Sequence, residues 1–232
     1  MNQEVGEMKC WICGAEETTG EHLLKESTLK ELFGEVSQKK LLYHSSARKK
    51  NKPLQSTNSK LLKLSVLCGQ CNSSRTQQSD LAWDAFMAYL NKNESSLNTG
   101  TVIRLSRVFG YQARKKMLNL HLYFVKLFGC VAAEKSIPVD ISGMSDSIMR
   151  KQPYPNIYVG LGKRDYLKSL VFAGPSDVHT LMDGDKCVFA VWFLTFGEWE
   201  FQFIYALPGQ KRDGMANTWN PVRGRQIHLK EF

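Results

Sequence analysis

Residues 10–22 read CWICGAEETTGEH, and residues 67–72 read LCGQCN. Each stretch contains one Cys-x-x-Cys pair, and the four cysteines are Cys10, Cys13, Cys68 and Cys71. Four thiolates supplied by two such pairs suit a tetrahedral, closed zinc site of the structural kind. A zinc ion held there would join two distant segments, so these cysteines predict how the N-terminal part of the chain folds. The alternative is two unrelated clusters of buried cysteines.

The cellular compartment decides whether cysteines bind metal or form disulfides. The N-terminal sequence MNQEVGEMK lacks the apolar segment of a signal peptide. The most apolar run, residues 187–196, is shorter than the roughly 20 residues that cross a bilayer. We therefore expect a cytoplasmic protein with no membrane association, in which thiols stay reduced and can bind zinc. Cys130 and Cys187 lie in apolar runs and are expected to be core residues.

Charge is the second informative property of the chain. The 232 residues are 43% hydrophobic and 23% charged, as in ordinary globular proteins, and carry a net charge of +9. No acidic residue lies between Glu35 and Asp80, whereas nine basic residues do, and residues 104–116 form a second basic stretch. Solvated surface is the alternative for each stretch, but the two together indicate a nucleic-acid surface.

Hydrophobic periodicity predicts a mixed fold. Three segments are expected to be helical: residues 25–33, 79–90 and 117–135. Extended structure is expected for residues 39–46 and 59–67, joined by a polar loop, for residues 156–162, and for an antiparallel hairpin over residues 186–207. Residues 136–146 and the tail from residue 211 are predicted to be irregular. The fold class is therefore α+β.

The polar stretch NKNESSLNTG, residues 91–100, predicts a boundary between two parts of the chain. We expect one domain over residues 1–95 and a second over residues 96–232. The second domain is predicted to be α+β, with a buried helix and the antiparallel hairpin. Its role would be target recognition or regulation, and the alternating hairpin aromatics are interpreted as core.

Three residues beside the cysteine pairs have functional side chains. Glu21 and His22 follow the first pair, and Asn72 directly follows Cys71. Zinc would gather this carboxylate, imidazole and carboxamide into one region. Oxygen ligands suit magnesium or manganese, and a bound cation polarises a scissile phosphate. A neutral imidazole can take a proton from attacking water, so these are parts for phosphodiester hydrolysis.

The order Cys-x-x-Cys, acid-His, Cys-x-x-Cys-Asn resembles the HNH endonucleases with a structural zinc, of the endonuclease VII and McrA-like types. The resemblance covers roughly residues 8–92 and implies a zinc-stapled ββα-metal unit, treble-clef-like, formed by a β-hairpin and a helix. It implies that His22 is the general base. It also implies that Glu21, in place of the more usual Asp, and Asn72 bind the catalytic Mg²⁺ or Mn²⁺, and that the product carries a 5′ phosphate.

The sequence departs from the family pattern between the two cysteine pairs. The family's middle Asn usually lies a few residues before the second pair, but here Asn51 and Asn58 are further back, so this role is unassigned. The span from His22 to Cys68 is also long, and is expected to hold an inserted helix and the basic loop.

Basic residues near these positions are candidates for binding the nucleic-acid backbone. Arg75 lies one turn past Asn72 and is expected to contact phosphate. In the basic loop the same role is expected for Arg48, Lys49, Lys50 and Lys52. Each site residue also has an ordinary alternative: surface residues for Glu21 and His22, and a helix N-cap for Asn72.

The sequence thus predicts a metal-dependent HNH endonuclease that cuts DNA, and the named residues leave RNA open as a substrate. One alternative is a zinc-dependent nucleic-acid-binding protein without catalysis. Another is an effector nuclease of a defence system, activated by a ligand or partner. Because such sites hold one strand at a time, double-strand cutting would require a homodimer or two successive events.

Overall fold

The computed structural model describes residues 9–45, 51–164, 172–210 and 213–232. The helices are α1 (Glu26–Phe33), α2 (Gln77–Lys92), α3 (Leu105–Phe109), α4 (Ala113–Glu134) and α5 (Ile141–Arg150). The strands are β1 (Thr19–His22), β2 (Leu42–His44), β3 (Lys52–Leu54), β4 (Lys63–Leu67), β5 (Val102–Arg104), β6 (Ile157–Lys163), β7 (Ala173–Pro175), β8 (His179–Asp183), β9 (Lys186–Phe196), β10 (Trp199–Ala206) and β11 (Gln226–Glu231). This mixture confirms the predicted α+β class.

The N-terminal part is built on an antiparallel pair of strands followed by a helix. Strand β1 pairs with β4, with Glu21 opposite Leu64 and His22 opposite Lys63. A turn of π-helix over Cys71–Arg75 then leads into α2. Along the chain, helix α1 comes between β1 and β4, where an inserted helix was predicted. It ends at Gly34, which has φ 70°.

The strand prediction around the basic loop was partly wrong. Strand β2 is shorter than expected and pairs with β3, which lies inside the predicted loop, while residues 60–62 form a 3₁₀ turn before β4. The reason is Leu54, an apolar residue in a polar stretch, whose side chain is buried and gives β3 an inner face. The apolar run 59–67 therefore contributes only its second half to the sheet.

A seven-stranded sheet forms most of the C-terminal part, in the order β5-β11-β6-β10-β9-β7, with β8 also pairing with β9. Strands β9 and β10 form the predicted hairpin, which turns at Gly197 with φ 56°. Both faces of β10 are buried, including the face that carries Glu200 and Gln202. Those polar groups are paired: Thr195 donates to Glu200, which also pairs with Arg164, and Lys230 donates to Gln202.

Two segments predicted to be irregular are regular. Residues 141–150 form α5, which begins where the Asp140 carboxylate accepts a hydrogen bond from the Gly143 amide at 2.9 Å. The sequence holds two signals for this helix: the N-cap at Asp140, and Ile141, Met144 and Ile148 at helical spacing, of which Met144 and Ile148 are buried. Residues 226–231 form β11, because Ile227 and Leu229 alternate with polar residues and are buried between β5 and β6.

Helix α4 is the centre of the core, as the prediction of a buried helix requires. Trp83 of α2 stacks on Tyr123 of α4 with a centroid distance of 4.7 Å, and Phe201 of β10 packs on the same indole. Buried residues from both predicted domains belong to one contiguous cluster. The boundary at residue 95 stays a prediction, and it falls at the 3₁₀ turn Glu94–Ser96 that follows α2.

Among the described residues, no helix combines the length and the apolar character needed to cross a bilayer. The cytoplasmic location stays a prediction.

The buried His121 of α4 makes the stability of this core depend on pH. Its Nε2 lies 3.1 Å from the backbone N–H of Tyr154, and complete burial lowers its pKa to about 4, from an ordinary value of 6.5. The unfolded chain therefore binds a proton between these values that the native chain does not, so stability is lost as the pH falls through this range.

We expect the His121 imidazole to lower the free energy of unfolding by about 2 kcal/mol when the pH falls from 7 to 5. Urea unfolding of the wild type and of His121→Gln at both pH values measures it. The variant should show a smaller loss by that amount, and equal losses in the two proteins would contradict the assignment.

Candidate metal centre and catalytic region

The four cysteines of the two Cys-x-x-Cys pairs converge. Their sulfur atoms all lie within 4.8 Å of one another, and the Sγ atoms of Cys13 and Cys68 are 3.5 Å apart. A tetrahedral zinc site with Zn–S bonds of about 2.3 Å places its sulfurs about 3.8 Å apart. The donor set and the spacing therefore fit a zinc ion, and the predicted four-cysteine cluster is confirmed as a group that can hold such a metal.

Each cysteine pair lies in a tight turn that aims both thiols at the same point. In the first turn, the Gly14 amide donates to the Cys10 carbonyl at 2.7 Å, and Gly14 has φ 75°, which favours glycine. In the second, the Asn72 amide donates to the Cys68 carbonyl at 2.9 Å, and the Cys71 amide points at the Cys68 sulfur. The glycine at the end of CWICG thus allows the turn that contains Cys10 and Cys13.

The charge of the cluster is partly offset by Arg75. Its Nη1 lies 2.8 Å from the Cys71 sulfur, a contact that stabilises a thiolate in a metal site. Burial raises the pKa of Cys71, whereas a hydrogen bond from the backbone of Ala15 lowers the pKa of Cys13 to about 7. Arg75 was predicted to contact phosphate; that role stays a prediction beside the observed contact with the cluster.

The first cysteine turn packs directly on α4 and α5. A Cβ atom at Gly129 would lie 2.4 Å from the Trp11 ring, so the indole occupies a notch that only glycine provides. The Trp11 Nε1 also lies 3.4 Å from the sulfur of Cys130, and Ser145 of α5 donates to the Ile12 carbonyl. Cys130 and Cys187 are both fully buried, as expected for core residues.

Asn72 lies against β1. Its Nδ2 donates to the Gly20 carbonyl at 3.2 Å and to the Thr19 hydroxyl at 3.3 Å. Both hydrogen bonds use Nδ2, whereas a cation would bind Oδ1. Asn72 does not serve as the N-cap of α2, a position that Thr76 occupies. The carboxamide is therefore next to the strand that carries Glu21 and His22, as the zinc argument predicts.

His22 is half-buried at the end of β1. Its Nε2 lies 3.3 Å from the backbone carbonyl of Thr57. Because a carbonyl only accepts hydrogen bonds, this contact favours the tautomer with the proton on Nε2 and a free electron pair on Nδ1. Burial and the nearby positive charge of Lys63 lower the pKa of His22, which keeps the ring neutral at pH 7.

Glu21 points to the opposite side of β1 from His22, as neighbours in a strand do. Its Oε1 lies 2.9 Å from the Nζ of Lys126, which also lies 2.7 Å from Asp80 Oδ1. The Lys126 side chain is only 1% exposed. Burial alone would lower the pKa of Lys126, but the two carboxylates outweigh burial and raise it, so the ammonium stays charged. Burial also raises the pKa of Glu21, and Lys126 opposes that rise.

Sequence reasoning missed Lys126 and Asp80. A signal was present, because Lys126 interrupts the apolar run LHLYFVKLFGCV in a helix predicted to be buried. A lysine in such a place needs a carboxylate partner. The partner's identity is not encoded locally, since Glu21 lies more than one hundred residues earlier.

The predicted backbone contacts in the basic loop are described only in part. Lys52 is exposed in β3, opposite His44. Arg48, Lys49 and Lys50 lie outside the described residues.

No family model matches the chain, and comparison with curated proteins and with solved structures finds no match either.

Zinc content tests the metal centre directly. The wild type, purified in reducing buffer without chelator, should contain about one zinc ion per chain, since four thiolates complete one tetrahedral site. Cys68→Ser should lose most of the zinc and unfold at a lower temperature, because metal binding contributes folding free energy. Cys187→Ala is the control, since it removes a buried thiol outside the cluster and should keep the zinc. A zinc-free wild type, or full zinc content in Cys68→Ser, would contradict this site.

Proposed function

We propose that the chain is a metal-dependent endonuclease of the HNH type that hydrolyses phosphodiester bonds in DNA. The observation that carries the proposal is the position of Asn72 against β1, the strand that bears Glu21 and His22, directly after the four-cysteine cluster. The order of β1, β4 and α2, an antiparallel pair followed by a helix, supports it, since the resemblance implies this arrangement.

His22 would be the general base. Its Nδ1 would accept a proton from a water molecule as the water oxygen attacks phosphorus, and the bond from phosphorus to the 3′ oxygen would break. The leaving 3′ oxygen would take a proton from solvent water and become a hydroxyl. The 5′ phosphate stays on the product. The neutral ring and the Nε2 contact with Thr57 support this assignment, because they supply a basic nitrogen in a fixed orientation.

Glu21 and Asn72 would hold Mg²⁺ or Mn²⁺, because carboxylate and carboxamide oxygens are the ligands these cations prefer. The cation would supply charge stabilisation for the scissile phosphate and the leaving oxygen. Lys126 engages Oε1 of Glu21, so cation binding would use Oε2. Lys126 also reduces the negative charge of the region, which favours the approach of a phosphate group.

One observation favours a second candidate function. Glu21 already has a buried cationic partner, and a structural role in that ion pair accounts for it without a divalent metal. The chain would then be a zinc-dependent nucleic-acid-binding protein without catalysis. The two candidates differ in what His22 does, since a binding module has no use for a general base.

Plasmid relaxation in Mg²⁺ or Mn²⁺ distinguishes them. Wild type should convert supercoiled plasmid to relaxed or linear forms, and His22→Ala should reduce the rate by roughly 10²- to 10⁴-fold, the usual contribution of a general base. His179→Ala, which removes an exposed histidine in β8, is the control and should cut as the wild type does. The wild-type rate should fall on the acid side of pH 6.5, because protonated His22 cannot act as a base.

Equal cutting by His22→Ala and wild type would contradict the proposed mechanism. A wild type that binds plasmid and leaves it uncut under all these conditions would support the non-catalytic module instead.

A further inference from the structure

Two segments without acidic residues meet on one face of the C-terminal part. Residues 95–133 and 214–230 contain no Asp or Glu. Strand β5 pairs with β11, and the Leu105 amide donates to the Arg225 carbonyl at 3.0 Å, so the start of α3 lies beside the last segment of the chain. We call this surface the arginine face; its exposed basic residues are Arg104, Arg107, Arg114, Lys115 and Arg225.

The cations of the arginine face are not compensated. None of these five forms a salt bridge within the described part of the chain. At the other end of α4, by contrast, the exposed Lys135 pairs with Asp177. A patch of unpaired arginines carries a positive potential, and the planar guanidinium matches the geometry of phosphate oxygens. The face is therefore suited to a chain of phosphates.

An apolar cavity of about 550 Å³ opens between two of these arginines. Arg114 and Arg225 line it, together with apolar side chains that include Leu118, Pro221 and Val222. The Val222 side chain is 68% exposed, and Tyr111, one turn before Arg114, is 96% exposed. A duplex that contacts the protein only through its phosphates would occupy neither the apolar cavity nor the exposed Tyr111 ring. Unstacked bases use both, because they stack on aromatic and guanidinium planes.

We propose that the arginine face binds single-stranded DNA, with phosphates on the arginines and an unstacked base in the cavity between Arg114 and Arg225. The preference for an unpaired strand follows from the cavity, the exposed ring and the uncompensated charge. The choice of DNA rests on the proposed function. Twelve residues of α4 separate Arg114 from Lys126, about 18 Å along the helix axis. Binding at the face can thus be altered without touching Glu21 or His22.

Fluorescence anisotropy with a labelled oligonucleotide tests the proposal. The full chain carrying His22→Ala, to prevent cutting, is titrated with a strand of about 20 nucleotides, alone or annealed to its complement. We expect tighter binding of the single strand. Adding Arg114→Ala and Arg225→Ala should weaken that binding at least tenfold and reduce the salt slope of log K by about 1.4, the value for two single-strand phosphate contacts.

A matched control removes the same charge elsewhere. Lys135 is exposed at the other end of α4, about 31 Å from Arg114 along the helix axis. The exposed Lys186 lies near that end, since the next residue, Cys187, donates its amide to the Pro138 carbonyl. Lys135→Ala with Lys186→Ala should change the affinity less than twofold. Val222→Glu, at an exposed loop position where folding is not at risk, puts a negative charge at the mouth of the cavity and should also weaken binding of the single strand; Val222→Thr should not.

Equal or tighter binding of the duplex would overturn the proposal, as would an equal loss of affinity in the matched control. The failure of the proposed nuclease has a different signature, since binding is measured without cutting. A chain that binds single strands through this face but relaxes no plasmid keeps this inference and loses the nuclease.

Discussion

A lysine ammonium with almost no exposure to solvent lies between two carboxylates, and three elements of the fold meet at that point. Lys126 of α4 pairs with Glu21 of β1 and with Asp80 of α2. An isolated ammonium in the core would cost many kcal/mol. Burial of α4 therefore requires that the carboxylates of Glu21 and Asp80 stay within reach of Lys126. The ion pairs therefore fix β1 and α2 relative to α4.

The cysteine cluster fixes the same region from the other side. It ties the start of β1 to the end of β4, and Trp11 in the notch at Gly129 ties the first cysteine turn to α4. The segment with Glu21 and His22 is thus held at both ends, and Asn72 closes against it. Such fixation is what a catalytic constellation requires, because reacting groups must be held in position before substrate arrives. A rigid binding module would have the same fixation, so the two candidate functions are distinguished by whether the protein cuts DNA.

The parts of this fold that the sequence predicts are those with local signals. The cysteine spacing identifies the metal cluster, and hydrophobic periodicity identifies α2, α4 and the hairpin of β9 and β10. The failures have physical causes. Helix α5 is short, and its apolar residues at helical spacing lie among serines and a glycine that favour irregular structure. Strands β3 and β11 are short, and their few apolar residues lie among polar and basic ones. The partner of Lys126 is set by tertiary packing across more than one hundred residues, which no local pattern contains.

We propose that Glu21 binds the catalytic cation while it is paired with Lys126. The most direct measurement is the rate of DNA cutting as a function of Mg²⁺ concentration for wild type, Glu21→Gln and Asp80→Asn. Each variant removes one carboxylate from the same buried lysine, so Asp80→Asn is the matched control for the loss of one ion pair. If Glu21 holds the cation, Glu21→Gln should raise the Mg²⁺ concentration for half-maximal rate at least tenfold, and Asp80→Asn should leave it nearly unchanged. Equal Mg²⁺ dependence in all three proteins would contradict the claim and leave Glu21 as a partner of Lys126 alone.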